Sequence, residues 1–202
     1  MKRNERRTRW ALVGFSSVLL LGGSILLAPH ERAAARVNPK VERGRYLVQA
    51  MGCHDCHTPK KMGPNGPEPD FTRALSGHPE DVLLPPPPKP AAGPWIATAA
   101  WDLTAWSGPW GISYPVNLTP DENTGLGIWT EEMFVKAMRT GRHMGASRPI
   151  LPPMPWQGLA ALDDADLTSV YAYLRSLPPV HNRVPAAVIA EPAVADARPA
   201  AR

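Results

Sequence analysis

The sequence predicts a helical domain set among long proline-rich loops, and three observations carry that expectation. Apolar residues recur at helical spacing in three stretches, about 39–51, 131–140 and 163–177. No βαβ pattern of strands is visible between them. Proline supplies 25 of the 202 residues, against a typical usage of roughly 5%. Each proline removes an amide donor and sets its own φ, so much of the chain must be loop or extended. A chain this irregular closes a core poorly with secondary structure alone, and a large buried cofactor would help.

The first 35 residues read as a targeting segment. Arg3, Arg6, Arg7 and Arg9 precede nineteen uncharged residues, Trp10 to Ala28. That run is at the lower limit for a membrane-spanning helix and longer than most signal-peptide cores. Ala33-Ala34-Ala35 offers a small-residue cleavage site, so 1–35 is either a signal peptide or a retained membrane anchor. The dense positive flank fits the cytoplasmic side, and the rest of the chain is expected to leave the cytoplasm. The formal charge of +4 belongs to this segment, because residues 36–202 hold 16 basic and 16 acidic residues. A nucleic-acid partner, which calls for a basic patch on the domain itself, is therefore not expected.

Asn38-Pro39 is a helix start, with asparagine as N-cap and proline at the first helical position. The helix over 39–51 shows Val41, Leu47 or Val48, and Met51 on one face, and runs into Cys53-His54-Asp55-Cys56-His57. Gly44 lowers its helix propensity and points to close approach by another helix. From Thr58 to about Pro94 eleven prolines forbid a long helix or a central strand, and a surface excursion is expected. Trp95, Trp101, Trp106 and Trp110 follow, a loop expected to pack on the core or a cofactor. Thr130 caps a helix ended by Gly141, with Met133, Phe134, Ala137 and Met138 on its apolar face. Asp163 opens the last helix, with Leu167, Val170, Tyr171, Leu174 and Leu177 on one face, and Pro178-Pro179 stops it. From 184 to 202 the chain is alanine, proline and a few charges, read as a disordered tail.

Cys53-His54-Asp55-Cys56-His57 is a CxxCH motif, the signature of covalent haem attachment. Two thiols three positions apart at a helix end can each add to one vinyl group of the same porphyrin. The histidine directly after them is then held beneath the iron as proximal ligand. A thioredoxin-like pair would need a βαβ setting, and a zinc site would need about four protein ligands. A structural disulfide would leave the histidine and the export segment unexplained. His54, inside the spacer, reads as a surface histidine.

Around this motif, residues 38–183 resemble the class I c-type cytochrome domains found as carrier proteins and as cytochrome subunits of bacterial periplasmic dehydrogenases. The likeness lies in Gly44-Arg45-Tyr46-Leu47 leading to the motif and Thr58-Pro59-Lys60, and in Leu75-Ser76-Gly77-His78-Pro79. It continues in Asn117-Leu118-Thr119-Pro120-Asp121, Thr124-Gly125-Leu126-Gly127-Ile128-Trp129, Pro152-Pro153-Met154-Pro155-Trp156 and Asp166-Leu167…Tyr171-Ala172-Tyr173-Leu174. The resemblance implies an all-α, cytochrome c-like fold, with crossing N- and C-terminal helices around one covalent haem c and its iron. It implies a domain over 36–183 with an insertion at about 62–116.

The iron's second axial ligand is expected to be a methionine, a soft thioether that raises the potential. Met1 is in the leader, Met51 is on the packed first helix, and Met62 is too near His57 to cross the ring. Met133 and Met138 lie at core spacing. Met144 and Met154 remain, with His143, His78 and His181 as other candidates. Prolines bracket Met154 in a stiff loop, and the resemblance places the ligand there. Arg142, Arg148, Asn117 and Trp156 are candidates to hydrogen-bond the haem propionates.

With His57 and Met154 as ligands the iron has no open site, so one-electron transfer rather than enzymatic catalysis is the expected function. The resemblance implies redox-partner proteins: a dehydrogenase, an oxidase or other cytochromes of a respiratory chain. The place is the periplasmic side of a bacterial inner membrane, anchored or soluble, with residues 10–28 as the membrane contact. A five-coordinate peroxidase-like or gas-binding haem protein is the enzymatic alternative, and it requires that Met154 not bind the iron. A subunit of a larger oxidoreductase complex is a third.

Overall fold

The computed structural model describes residues 38–88 and 95–190. The signal-or-anchor segment, the end of the proline-rich stretch (89–94) and the end of the tail lie outside the described residues. Among the described residues five α-helices carry the core: α1 (Pro39–Ala50), α2 (Cys53–His57), α3 (Glu131–Thr140), α4 (Trp156–Ala160) and α5 (Asp164–Ser176). Asn38 caps α1, its side chain accepting from Lys40 N at 3.0 Å. Thr130 caps α3 through Met133 N, and Asp163 caps α5 through Asp166 N. Gly141 ends α3 in the left-handed conformation.

The first and last long helices pack against each other. Leu47 and Val48 of α1, and Leu167, Val170 and Leu174 of α5, are almost fully buried. Each such side chain stabilises the fold by about 1.5–3 kcal/mol relative to exposure. The close approach anticipated at Gly44 is found, because a Cβ there would overlap the Ser169 carbonyl and the Tyr173 Cβ. At the rim Arg43 holds Asp166 with two hydrogen bonds of 2.8 Å. Phe134, Ala137 and Met138 of α3 complete the cluster together with Leu75, Leu126 and Leu159. Arg139 ties α3 to the Ala160 carbonyl and to Asp164.

The expectation of an all-α fold is corrected by two antiparallel sheets. A hairpin of β1 (Lys60–Gly63) and β2 (Gly66–Pro69) follows the motif directly, turning at residues 64 and 65. A second sheet, β3 (Thr98–Ala99), β4 (Trp106–Gly108), β5 (Gly111–Ser113) and β6 (Val188–Ile189), runs in that order. These strands are two to four residues long, too short to show the alternation that marks a strand in sequence. Pro67 and Pro69 fit β2 because both strands of a two-stranded hairpin are edges. Residues 184–190, placed in the tail on composition, are described, and β6 pairs with β5 through Gly111 and Ile112.

The aromatic loop divides. Trp106 and Trp110 are half-buried, whereas Trp95 and Trp101 are 77% and 56% exposed, against the expectation that all four pack inward.

Candidate haem site

The motif forms its own short helix, α2, set off from α1 by Met51 and Gly52. Cys53 and Cys56 are free thiols and half-buried. Burial pushes the Cys53 thiol up to about 11 and raises Cys56 as well, so both are protonated at neutral pH. His57 is buried, and burial pushes its imidazole down to about 4, so the ring is neutral.

The neutral ring is held by one bond of known sense. Its Nδ1 lies 2.8 Å from the Val116 carbonyl, which can only accept, so Nδ1 carries the proton. Nε2 then keeps its lone pair, and among the described residues it has no hydrogen-bond partner. A neutral imidazole with one nitrogen fixed on a backbone carbonyl is the form in which histidine binds a metal.

Two loops hold this arrangement. The backbone of 75–78 runs beside that of 115–118, with Leu118 N donating to Leu75 O at 2.8 Å and His78 N to Pro115 O at 3.0 Å. Gly77 N donates to the His57 carbonyl at 2.8 Å. Gly77 has φ of 82°, and a Cβ there would meet the backbone of Val116 and Asn117, so only glycine fits. Thr58, fully buried, accepts from Leu75 N at 3.0 Å and pairs with His54 Nδ1 at 2.8 Å. His54 is thus half-buried rather than a surface side chain, with Phe71 edge-on at 5.7 Å between ring centroids.

Met154 lies in the loop before α4 and packs against the core cluster that Cys53 also touches. The loop is pinned from the second sheet: Ser113 Oγ donates to Pro152 O at 2.6 Å, and Trp110 Nε1 donates to Ser113 Oγ at 3.2 Å. Met144 sits in a turn with φ of 53°. The competing histidines are engaged elsewhere. His78 uses both nitrogens, on Thr104 Oγ1 at 2.8 Å and the Val82 carbonyl at 3.1 Å. His181 faces Asp121 at 3.7 Å, and His143 lies edge-on to Trp129 at 4.9 Å.

Of the residues expected near the propionates, Asn117 has its amide fully engaged. Its nitrogen donates to Thr124 Oγ1 and Val180 O, and its oxygen accepts from Thr119 N and Oγ1. Arg142 donates to the Ser147 carbonyl, and Trp156 packs on Gly141. Sequence reasoning missed Val116, which acts through its backbone. The donor set of two free thiols, one neutral imidazole nitrogen and a core-packed thioether has the chemistry that a c-type haem requires.

A family model described as cytochrome c matches residues 41–178. The chain is 39% identical over 194 residues to a nicotinate dehydrogenase component from Pseudomonas putida, covering 91% of this chain and 13% of that protein. It is 32% identical over 161 residues to the fructose dehydrogenase cytochrome subunit of Gluconobacter japonicus, 79% of this chain and 26% of the relative. It is 31% identical over 149 residues to the cytochrome c subunit of alcohol dehydrogenase (quinone) from Gluconobacter oxydans, 72% of this chain and 23% of the relative. The chain therefore spans about a quarter or less of the length of these curated relatives.

Proposed function

Because the chain belongs to the cytochrome c family, we propose that it carries single electrons on one covalently attached haem c, as an electron-transfer protein rather than a catalyst. Cys53 and Cys56 would hold the haem as thioethers, and His57 Nε2 and the Met154 sulfur would bind its iron. When bound, the haem iron supplies a one-electron couple. The observation that carries the reading is the 2.8 Å bond from His57 Nδ1 to the Val116 carbonyl, which leaves Nε2 as the free donor. Val116 orients the ring, Gly77 holds the His57 backbone, and the Ser113–Pro152 bond holds the Met154 loop.

The electron donor in this reading is a dehydrogenase, since the relatives from Pseudomonas and Gluconobacter are dehydrogenase subunits. The site of action is the periplasmic face of a bacterial inner membrane, reached through residues 1–35 and held there by 10–28 or freed by cleavage. The covalent claim is tested by denaturing protein matured with the cytochrome c assembly machinery. Haem should stay with the chain and give a pyridine haemochrome of two thioether links. Haem extracted into acid-acetone, or retained in a Cys53→Ser/Cys56→Ser variant, overturns it.

A further inference from the structure

Beyond α5 the chain returns to the loops that hold His57. Pro178 and Pro179 follow the helix, and residues 180–183 then bond to both loops. Toward residues 117–124, Val180 O accepts from Asn117 Nδ2 at 2.8 Å and Val180 N donates to Thr119 Oγ1 at 3.1 Å. Asn182 N adds a bond to Thr124 Oγ1 at 3.1 Å. Toward residues 73–80 the contact is one side chain. Asn182 is fully buried, and its Nδ2 donates to the Ser76 carbonyl at 2.7 Å and to the His78 carbonyl at 2.8 Å. Its Oδ1 accepts from Glu80 N at 2.9 Å and from Arg73 Nη2 at 3.4 Å. Only an amide side chain offers two N–H groups to carbonyls and an oxygen to a backbone N–H at once. The two carbonyls flank Gly77, whose own N–H donates to the His57 carbonyl. The same loop brackets the acceptor of the His57 ring, through His78 N on Pro115 O and Leu118 N on Leu75 O. One amide therefore grips the loop that fixes both ends of the bond between His57 Nδ1 and the Val116 carbonyl.

Resting on the reading of His57 as an iron ligand, we propose that Asn182 is a positioning residue for its imidazole. By fixing residues 76–80 it keeps Nδ1 on the Val116 carbonyl and so leaves Nε2 for the iron. Groups one step removed from a metal fix the tautomer and orientation of the ligand that binds it. Asn182 stands one step further out and holds the backbone that makes those bonds. The segment beyond α5 thereby becomes part of the haem site.

The test uses the haem-loaded full chain in the ferrous state and follows the His57 ring N–H by nuclear magnetic resonance. Its exchange with solvent reads local opening of the Nδ1–Val116 bond, and the Val170 and Leu174 amides of α5 read opening of the whole fold. In Asn182→Ala the ring N–H should gain about tenfold or more in exchange rate over those amides, because two carbonyls and an N–H lose their buried partner. Gly44→Ala strains the α1–α5 contact instead and should speed ring and amides by the same factor. Where Asn182→Ala does not mature, Asn182→Ser keeps one donor and should show the same preference for the ring at smaller size. Equal factors in the Asn182 variant, or the same ring preference in Gly44→Ala, overturn the positioning role, since an asparagine that only stabilised the fold would release every proton alike. His57 ring signals that lack the shift a haem imposes on its axial imidazole, in the unaltered protein, overturn the ligand reading itself and are told apart by that spectrum.

Discussion

His57 donates through Nδ1 to the carbonyl of Val116, 59 residues along the chain and 2.8 Å away. The bond decides which nitrogen is left free, yet it is made to a backbone atom that any residue at 116 could offer. What holds the carbonyl in place is its neighbour: the Asn117 amide, buried at 2% exposure, spans Thr119, Thr124 and Val180.

Asn117→Ala therefore strips partners from several buried groups at once. Each group left unpaired costs about 1–3 kcal/mol, so the denaturation midpoint should fall by at least that equivalent. Covalent haem should be retained, because Cys53 and Cys56, the proposed attachment residues, lie on α2. Guanidinium titration of the haem-loaded variant, followed in the far ultraviolet, measures the loss.

Gly44→Ala separates packing from propensity. Alanine would regain about 1 kcal/mol of helix propensity in an isolated helix. Here its methyl would meet the Ser169 carbonyl and the Tyr173 Cβ, and overpacking of this kind costs about 1–3 kcal/mol. The variant should be less stable than the parent in equilibrium unfolding. A more stable Gly44→Ala protein would mean that α1 and α5 do not cross this closely.

Asp166 and Arg43 set an acid limb. The Arg43 hydrogen bonds hold the Asp166 carboxyl below the usual carboxylate range. A depressed carboxyl contributes stability that is complete above its unfolded value, about 3.9. That stability is lost as pH falls through the lower folded value. Stability measured between pH 6 and pH 2 should fall less steeply in Asp166→Asn than in the parent, and the difference should shrink with salt because the pair is exposed. Parallel curves would remove the pair from the acid response.

The three long helices, α1, α3 and α5, and their caps were legible because each is a local event. Asn38-Pro39, Thr130 with Gly141, and Asp163 bond to atoms within a few residues, and they carry the same signature in any fold. Gly44 was legible for a related reason: a glycine inside a helical pattern needs a packing cause. The sheets were not legible, since strands of two to four residues carry no period, and β6 arises in a stretch of mostly alanine and proline. The site divides along the same line. Cys53, Cys56 and His57 announce themselves by spacing, whereas the Val116 carbonyl depends on which loops meet. The contrast between Trp106, half-buried, and Trp101, 56% exposed five residues earlier, has no local cause.

Met154 decides whether the iron is closed, and the prediction is that it is the distal ligand. A thioether favours ferrous over ferric haem, so Met154→His should keep a six-coordinate, low-spin spectrum while lowering the potential. Met154→Ala should lose the methionine–iron charge-transfer band, admit water or added imidazole, and slow electron exchange. Met144→Ala should do none of this, because Met144 belongs to a separate turn, whereas the Met154 loop is pinned by Ser113 to the second sheet. Ser113→Ala supplies the intermediate case. It frees the Pro152 carbonyl without touching the sulfur, so the band should persist but weaken faster on warming. A band that survives Met154→Ala and vanishes in Met144→Ala transfers the ligand role to Met144 and leaves the electron carrier intact. A band absent from the unaltered protein points to an open or histidine-bound iron, and an open iron is what the peroxidase-like or gas-binding alternative requires.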